Sequence, residues 1–357
     1  MKALQVFAGP VARQRLLERG LQPGDVRVVP AAAGGPKGLV LLPLDRFLFG
    51  EWLPRSPHTV HLIGASIGAW RMATACLGEA PAAFDQLAHD YIHQDYPHAP
   101  GKKPTARQVS EAFGAKLQQR FGGREAGLLS HPQYRLHVLA SRGRHLLHRQ
   151  SRWRTPLGYL GAFATNAVSR KALGAWLERV VFSDPRDALP LPLHDYRTQR
   201  VALAADNLQP SLLASCSIPF WLDAVHDIPG APTGAYWDGG ITDYHLHLDY
   251  AAMAEPGALV LYPHFQRSVV PGWLDKPFKR RHLATARLDN VVVLAPHPQW
   301  VATLPGGKLP DRGDFMAFGD DVQGRVQAWT RAWRESQRLA DELAEAVQSD
   351  RMETLPL

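Results

Sequence analysis

A strand, a sharp turn and a helix are predicted in immediate succession over residues 60–75. An apolar run at 60–63 leads into Gly64-Ala65-Ser66-Ile67-Gly68, and helix-compatible residues follow this segment. Glycines on both sides of Ser66 permit strand and helix to pack where side chains would collide. The pattern is typical of a strained turn that exposes a serine hydroxyl, so Ser66 is a candidate nucleophile. An ordinary tight turn, with Ser66 as a capping residue, is the alternative.

The composition favours a globular, cytoplasmic protein. The chain has 357 residues, 45% of them hydrophobic, and no window of roughly 18 uncharged apolar residues that would cross a membrane. Met1 does not lead into a secretory signal, and the two cysteines, Cys76 and Cys216, imply neither a disulfide scaffold nor a CxxC metal site. The net charge of +7 favours anionic partners, either phospholipid headgroups or nucleic acid.

Predicted strands and helices alternate along the whole chain, which favours one α/β domain with a mainly parallel central sheet flanked by helices. The predicted strands are residues 26–29, 60–63, 134–140, 201–204, 258–262 and 291–294. A helix is predicted to begin in the glycine-bearing segment 33–38 and to kink or begin again near Pro43. Apolar residues recur at helical spacing over 322–347, which predicts one amphipathic helix that closes the core, with membrane-surface docking as an alternative.

Two further segments offer the groups that a serine nucleophile needs, a base and donors for an oxyanion. The segment Ala33-Gly34-Gly35-Pro36-Lys37-Gly38 supplies candidate donors, because backbone amides at a helix start are unpaired and carry partial positive charge. A plain anion site or a tight turn is the alternative. In Tyr236-Trp237-Asp238-Gly239-Gly240, Asp238 stands at a candidate strand end before two glycines, so it is either a candidate base or a turn-forming Asp-Gly.

In chain order, these motifs resemble those of the patatin-like phospholipases, a family of lipid acyl hydrolases with a Ser–Asp dyad. Residues 33–38 resemble its glycine-rich oxyanion segment, residues 64–68 its nucleophile elbow and residues 238–240 its catalytic aspartate motif. Two segments between elbow and aspartate also resemble the family, Ala204-Ala205-Asp206-Asn207 and Ala214-Ser215-Cys216-Ser217-Ile218-Pro219. The resemblance covers residues 26–248.

The resemblance implies a three-layer patatin-like fold, with one hydrolase domain over residues 1–357 and C-terminal strands and a closing helix at about 258–348. It also implies a lipase, phospholipase A or lysophospholipase activity. In that activity Asp238 accepts the Ser66 proton while Ser66 attacks an ester carbonyl. The implied partners are a lipid or acyl-ester substrate and an anionic membrane surface, without a cofactor, a metal or nucleic acid.

The oxyanion segment departs from the family pattern. Ala33 stands where the family has a third glycine, and Pro36 has no N–H to donate. Under the resemblance, the oxyanion donors are therefore the backbone amides of Gly34 and Gly35, with the Lys37 amide as a further candidate. Lys37 is a candidate contact for an anionic headgroup or carboxylate, with a solvent-facing lysine as the alternative.

Two other functions remain open from the sequence. A Ser–His–Asp esterase or thioesterase acting on soluble substrates would use one of three histidines after Asp238, namely His245, His247 or His264. A catalytically silent protein would use the same pocket to bind lipid or another anion. The first alternative predicts that one histidine substitution abolishes turnover, and the second predicts no turnover that depends on Ser66.

Overall fold

Eleven strands among the described residues form one sheet in this computed structural model, which describes residues 1–96, 104–349 and 352–357. The strands are β1 Leu4–Ala8, β2 Val26–Ala31, β3 Val60–Ala65, β4 Tyr134–Gly143, β5 Leu177–Ser183, β6 Thr198–Ala202, β7 Val225–His226, β8 Ala235–Asp238, β9 Leu259–Pro263, β10 Val291–Pro296 and β11 Thr354–Pro356. Their order is β11-β1-β10-β9-β2-β3-β4-β5-β6, and β8 pairs with both β4 and β7.

Helices occupy much of the remaining described chain. They are α1 Pro10–Arg19, α2 Leu42–Phe47, α3 Ile67–Ala75, α4 Ala80–Ile92, α5 Ala106–Phe121, α6 Glu125–Leu129, α7 Arg154–Val168, α8 Ala205–Cys216, α9 Gly240–Asp243, α10 Pro298–Val301, α11 Gly313–Phe318, α12 Val322–Glu335 and α13 Gln337–Gln348. None of these helices is both long and apolar enough to cross a membrane.

The sheet is mainly parallel, with six parallel pairings among the ten in the described residues. Alternate residues of a strand point to opposite faces, and a buried cluster lies on each face. Leu62 belongs to the cluster beneath α2–α5, α8, α12 and α13, while its neighbour Ile63 belongs to the cluster on the other face. The predicted α/β class, with a mainly parallel central sheet and flanking helices, is therefore confirmed.

The prediction of one helix over residues 322–347 is wrong. The chain forms α12 and α13 instead, which are separated at Ser336. The Ser336 hydroxyl donates to the Trp333 carbonyl at 2.6 Å, a local bond that competes with the helical hydrogen-bond pattern. Trp329 is buried against the core, so this segment does not present it to a membrane.

Other predicted boundaries differ by a few residues, and some strands were missed. The strand expected at 201–204 lies earlier, at Thr198–Ala202, and β1 and β5 had no sequence prediction. Near the glycine-bearing segment, Gly35–Leu41 forms a 3-10 helix, and α2 begins at Leu42. The expected restart near Pro43 is thus present as a change of helix type.

Candidate active site

Ser66 lies on a sharp turn between β3 and α3. Its backbone has φ 56° and ψ −130°, a left-handed conformation that costs free energy for a residue with a side chain. The flanking glycines are required by packing, because a Cβ on Gly68 would lie 2.0 Å from the Ala31 carbonyl oxygen and one on Gly64 would lie 2.6 Å from the Ala69 nitrogen. The close approach of strand and helix therefore holds Ser66 in its strained position.

Sheet register brings Asp238 beside Ser66. On β4, Leu139 pairs with Ala65 at the end of β3, and the next residue, Ala140, pairs with Asp238 at the end of β8. The Ser66 hydroxyl donates a hydrogen bond to Asp238 Oδ2 at 2.9 Å. Both side chains are buried, with 3% of Ser66 and 5% of Asp238 exposed. Two candidates from distant parts of the sequence thus form one hydrogen-bonded pair.

Burial makes the Asp238 carboxylate a stronger base than an ordinary aspartate. Loss of water around the charged form raises its pKa, and this effect exceeds the opposing influence of Arg312, of the hydrogen bonds from the Gly240 amide and Ser66, and of Lys276. The Gly240 amide donates to Oδ1 at 2.7 Å, which fixes the carboxylate orientation. Oδ2 is left to accept from Ser66.

Ser215 of α8 forms hydrogen bonds with the backbone around Ser66 and Asp238. The Ser66 amide donates to Ser215 Oγ at 2.8 Å, and the Ser215 hydroxyl donates to the Leu139 carbonyl at 2.6 Å. The Gly239 amide donates to the Ser215 carbonyl at 3.1 Å. Ser215 thereby joins the turn that carries Ser66 to the turn that follows Asp238. It lies in the sequence segment 214–219 that resembled the family, although no role was assigned to it.

The glycine-bearing segment contributes unpaired backbone donors. Gly35 begins the 3-10 helix, and Gly34 precedes it. Within the described part of the chain, neither amide donates to another protein group. Pro36 has no N–H, as the sequence indicated, so Gly34 and Gly35 are the available donors at this helix start.

A cleft of about 250 Å³ opens beside this arrangement. Its walls are Ala33, Gly34, Lys37, Ile218, Asp238, Gly240, Tyr244, Trp273, Lys276, Asp311, Arg312 and Gly313. The structure therefore brings Lys37 to the same cleft as Asp238 and Gly34. Sequence reasoning missed Lys276 and Arg312, because they lie far along the chain from the motifs and belong to no recognisable pattern.

Three cations line this cleft, against the two carboxylates of Asp238 and Asp311. Among the described residues, Lys37, Lys276 and Arg312 form no ion pair closer than 4.0 Å. Burial lowers the pKa of Lys37, and burial with repulsion from Arg312 and Lys37 lowers the pKa of Lys276 to about 8. A bound anion would offset this repulsion.

A second cavity of about 540 Å³ adjoins the cleft. It shares Lys37, Tyr244 and Lys276 with the cleft, and its remaining walls include Lys279 and His282. The Lys276 ammonium lies 4.1 Å from the centre of the Tyr244 ring, and this contact places the lysine between the two cavities. The two spaces together offer room for a substrate larger than the reacting ester.

The three histidines of the triad alternative lie in other contacts. His245 Nδ1 accepts from the Val270 amide at 3.0 Å, and His264 Nδ1 accepts from the Gln266 amide at 3.1 Å. The ring of His247 lies 3.4 Å from the Thr285 hydroxyl. Within the described ranges, no histidine hydrogen-bonds to Ser66 or Asp238, so the geometry does not assemble a Ser–His–Asp triad.

Comparison with known proteins gives no match to a protein-family model and none to a curated protein sequence. Among solved structures, the chain is similar to human GIVD cytosolic phospholipase A2, with 12% identity and a TM-score of 0.37 over 96% of this chain and 62% of that one. VipD from Legionella pneumophila matches with 11% identity and a TM-score of 0.34, over 96% of this chain and 70% of that one. The type III effector ExoU matches with 14% identity and a TM-score of 0.29, over 98% of this chain and 65% of that one. This chain thus spans less than two thirds of the length of the human enzyme.

Proposed function

We propose that the chain is a serine acyl-ester hydrolase that acts on phospholipids or lysophospholipids. Ser66 is the nucleophile, Asp238 is the general base, and the amides of Gly34 and Gly35 bind the oxyanion. The observation that carries the proposal is the 2.9 Å hydrogen bond from a strained Ser66 to a buried carboxylate. The motif order in the sequence supports the same assignment.

In the acylation step, Ser66 Oγ attacks the ester carbonyl carbon and its proton passes to Asp238 Oδ2. The carbonyl oxygen gains negative charge, which the Gly34 and Gly35 amides stabilise. The tetrahedral intermediate then collapses, the bond to the leaving alcohol breaks, and Asp238 returns the proton to that alcohol. The acyl group remains on Ser66.

In the deacylation step, water replaces the alcohol and attacks the acyl carbon while Asp238 takes a water proton. Collapse of the second intermediate breaks the bond to Ser66 Oγ, which regains a proton from Asp238 and releases the fatty acid. The raised pKa of Asp238 suits both transfers, because a carboxylate with an ordinary pKa is a weak base at neutral pH.

The charges around the cleft favour an anionic substrate. Lys37, Lys276 and Arg312 surround the space next to Asp238, and Lys279 extends the positive wall into the second cavity. A phosphate group beside the ester would lie within this positive region while its ester carbonyl faces Ser66. This charge pattern supports a phospholipid over a neutral ester.

Turnover of a lysophospholipid and of a short-chain nitrophenyl ester tests the proposal. We expect Ser66→Ala to abolish release of product from both substrates, and Asp238→Asn to slow it by roughly 100-fold or more. His245→Asn is the matched control for the triad alternative and should retain most turnover. Circular dichroism on each variant separates loss of activity from loss of fold.

Turnover that survives Ser66→Ala would overturn the proposed nucleophile. Loss of activity in a folded His245→Asn variant would favour the triad. The cation-lined cavities also favour a second candidate, a silent protein that binds anionic lipid. It would give a folded wild-type protein without turnover but with saturable binding of a lysophospholipid.

A further inference from the structure

The solvent face of α7 is apolar over residues 156–168. Residues 155–168 contain no charged side chain. The buried positions are Thr155, Gly158, Ala162 and Asn166, and they lie on one side of the helix. The opposite side is exposed to water and carries Pro156, Leu157, Leu160, Phe163, Ala164, Ala167 and Val168, and the exposed Trp153 directly precedes the helix. A surface helix normally shows the reverse arrangement, with polar side chains toward water.

Exposed aromatic residues extend this face toward the loop after α8. Trp153 is 74% exposed, Leu160 is 65% exposed and Phe220 is 63% exposed. The Phe220 ring lies 5.9 Å from the ring of Tyr159 on α7, and Trp221 beside it is 56% exposed. Phe220 has φ 70°, so the backbone holds this side chain outward in a conformation that non-glycine residues seldom adopt.

Cations lie at both ends of the apolar face. Arg152 and Arg154 flank Trp153 at its start, and the guanidinium of Arg152 lies 5.6 Å from the centre of the Trp153 ring. Near its other end, the basic segment 279–282 is held against α7, because Phe278 stacks on Phe163 with ring centres 6.1 Å apart. Lys279 and Arg280 in this segment are exposed, and neither forms an ion pair with a described residue.

The apolar face is continuous with the mouth of the candidate active site. Ile218 lines the cleft, and the exposed Phe220 follows it by two residues. On the other side, Trp273 and Lys276 line the cleft, and the Asn166 side chain of α7 donates to Asp275 between them at 2.9 Å. Leu283, which is exposed, lines the second cavity together with Lys279.

We infer that this face docks on the surface of an anionic phospholipid bilayer. The docking face is defined as the exposed side of α7 with Phe220, Trp221 and Leu283, together with the cations Arg152, Arg154, Lys279 and Arg280. The apolar side chains enter the headgroup region while the cations meet lipid phosphates. The inference rests on the proposed function, because docking here brings the cleft mouth to the lipid that the site would hydrolyse.

Charge is what favours a bilayer over a second copy of the chain. The charged side chains that define the docking face are all cations. Two copies of this face placed together would therefore bring like charges into contact. An anionic bilayer instead supplies apolar depth and negative charge together, and Trp and Arg side chains are suited to that boundary.

The test is sedimentation with vesicles of phosphatidylcholine containing phosphatidylglycerol, carried out on Ser66→Ala protein so that the lipid remains intact. We expect the added pair Leu157→Gln and Leu160→Gln to weaken binding at least tenfold, roughly the effect of removing two buried leucines from the interface. The matched control is Val11→Gln with Leu17→Gln on α1, where both residues are also exposed. This control pair should bind as Ser66→Ala alone does.

Two further measurements separate this inference from the proposed chemistry. Lys279→Gln with Arg280→Gln should weaken binding to the anionic vesicles but not to pure phosphatidylcholine, and raised salt should have the same effect. With Ser66 intact, the α7 pair should leave turnover of a short-chain soluble ester unchanged. Absence of that turnover in the wild-type protein would contradict the proposed function, and the vesicle-binding result would be unaffected.

The docking inference is overturned if the α7 pair binds anionic vesicles as tightly as the control pair. It is also overturned if the protein does not bind vesicles and sedimentation velocity instead shows a dimer that the Leu157→Gln and Leu160→Gln substitutions abolish. In that second case the face would be an interface between copies of the chain.

Discussion

Arg312 and Asp238 are coupled by charge across the cleft. Burial raises the pKa of Asp238, and the positive charge of Arg312 opposes that rise. The proposed base Asp238 must be deprotonated to accept the Ser66 proton, so activity is expected to fall as pH drops through the Asp238 pKa. Because the pKa is raised, this loss should begin at a higher pH than for an ordinary aspartate, whose pKa is 3.8.

Removing the Arg312 charge should move the acidic limb of the activity profile upward. In Arg312→Gln no cation at this position lowers the Asp238 pKa, so that pKa rises further. A higher pH is then needed to deprotonate the proposed base. The measurement is the pH dependence of kcat/KM on an uncharged short-chain ester. Arg312→Lys keeps the charge and should stay near the wild-type profile. An unchanged acidic limb in Arg312→Gln would contradict the assignment of Asp238 as the base.

At the same scale, the sequence singled out Ser66 and Asp238, which the structure joins by a hydrogen bond, but not the cations around them. Ser66 and Asp238 lie in short motifs whose glycines leave a local signal, since only glycine fits the close backbone approach at Gly68. Lys276 and Arg312 reach the cleft only because the C-terminal part of the chain folds over it. Such long-range contacts leave no local pattern of residue types.

A buried ion pair joins a helix before the Ser66 turn to the helix after it. Arg71 of α3 donates to Asp45 of α2 through Nε at 2.6 Å and through Nη2 at 2.8 Å. Neither side chain is more than 1% exposed. Since α3 begins directly after Ser66, the pair also helps to hold the turn in place.

Replacing one partner of this ion pair should lower the free energy of unfolding more than replacing both partners. Arg71→Met leaves a buried carboxylate without its partner, and we expect it to lower the free energy of unfolding by about 3–5 kcal/mol. Asp45→Leu with Arg71→Met removes both charges and should recover much of that loss. Urea unfolding measures both values.

The exposed pair between Arg107 and Glu111 provides the control for that experiment. Both side chains lie largely in water, so Arg107→Met should change the free energy of unfolding little. If Arg71→Met cost no more than Arg107→Met, the buried pair would not stabilise the packing of α2 against α3.

At the scale of elements, sequence periodicity predicted helices and parallel strands more reliably than their ends. The residues 322–347 keep one apolar period through Ser336, yet the chain forms two helices that are separated there, where the Ser336 hydroxyl donates to the Trp333 carbonyl. The β1 strand has only five residues, too few for a clear pattern of apolar residues in the sequence. It is stabilised by pairing with β10 and β11, which lie at the far end of the chain. Strands that depend on distant partners have weak local patterns.

Across the whole molecule, buried histidines make stability depend on pH. Among the residues that the structure describes, burial is the largest cause that lowers the pKa of six histidines, with His61 lowered to about 4. The others are His131, His137, His245, His247 and His264. Their folded pKa lies below the unfolded value near 6.5, so the unfolded chain binds more protons in this window.

The free energy of unfolding should therefore fall as pH drops from about 6.5 toward 4, by roughly 1.4 kcal/mol per pH unit for each such histidine. His61→Asn should reduce the loss between pH 7 and pH 5 by about 1–2 kcal/mol. The control is His58→Gln, because His58 is exposed. Urea unfolding at the two pH values is the measurement, and an equal loss in His61→Asn and wild type would contradict the account.

The central claim concerns one activated serine beside one buried carboxylate. A fluorophosphonate probe with mass-spectrometric mapping of the labelled residue tests it most directly, because the probe reacts only with an accessible, activated nucleophile. We predict label on Ser66 of the wild type, none at that site in Ser66→Ala, and labelling slowed roughly 100-fold in Asp238→Asn. Label on another residue, or no label on the folded wild type, would contradict the claim.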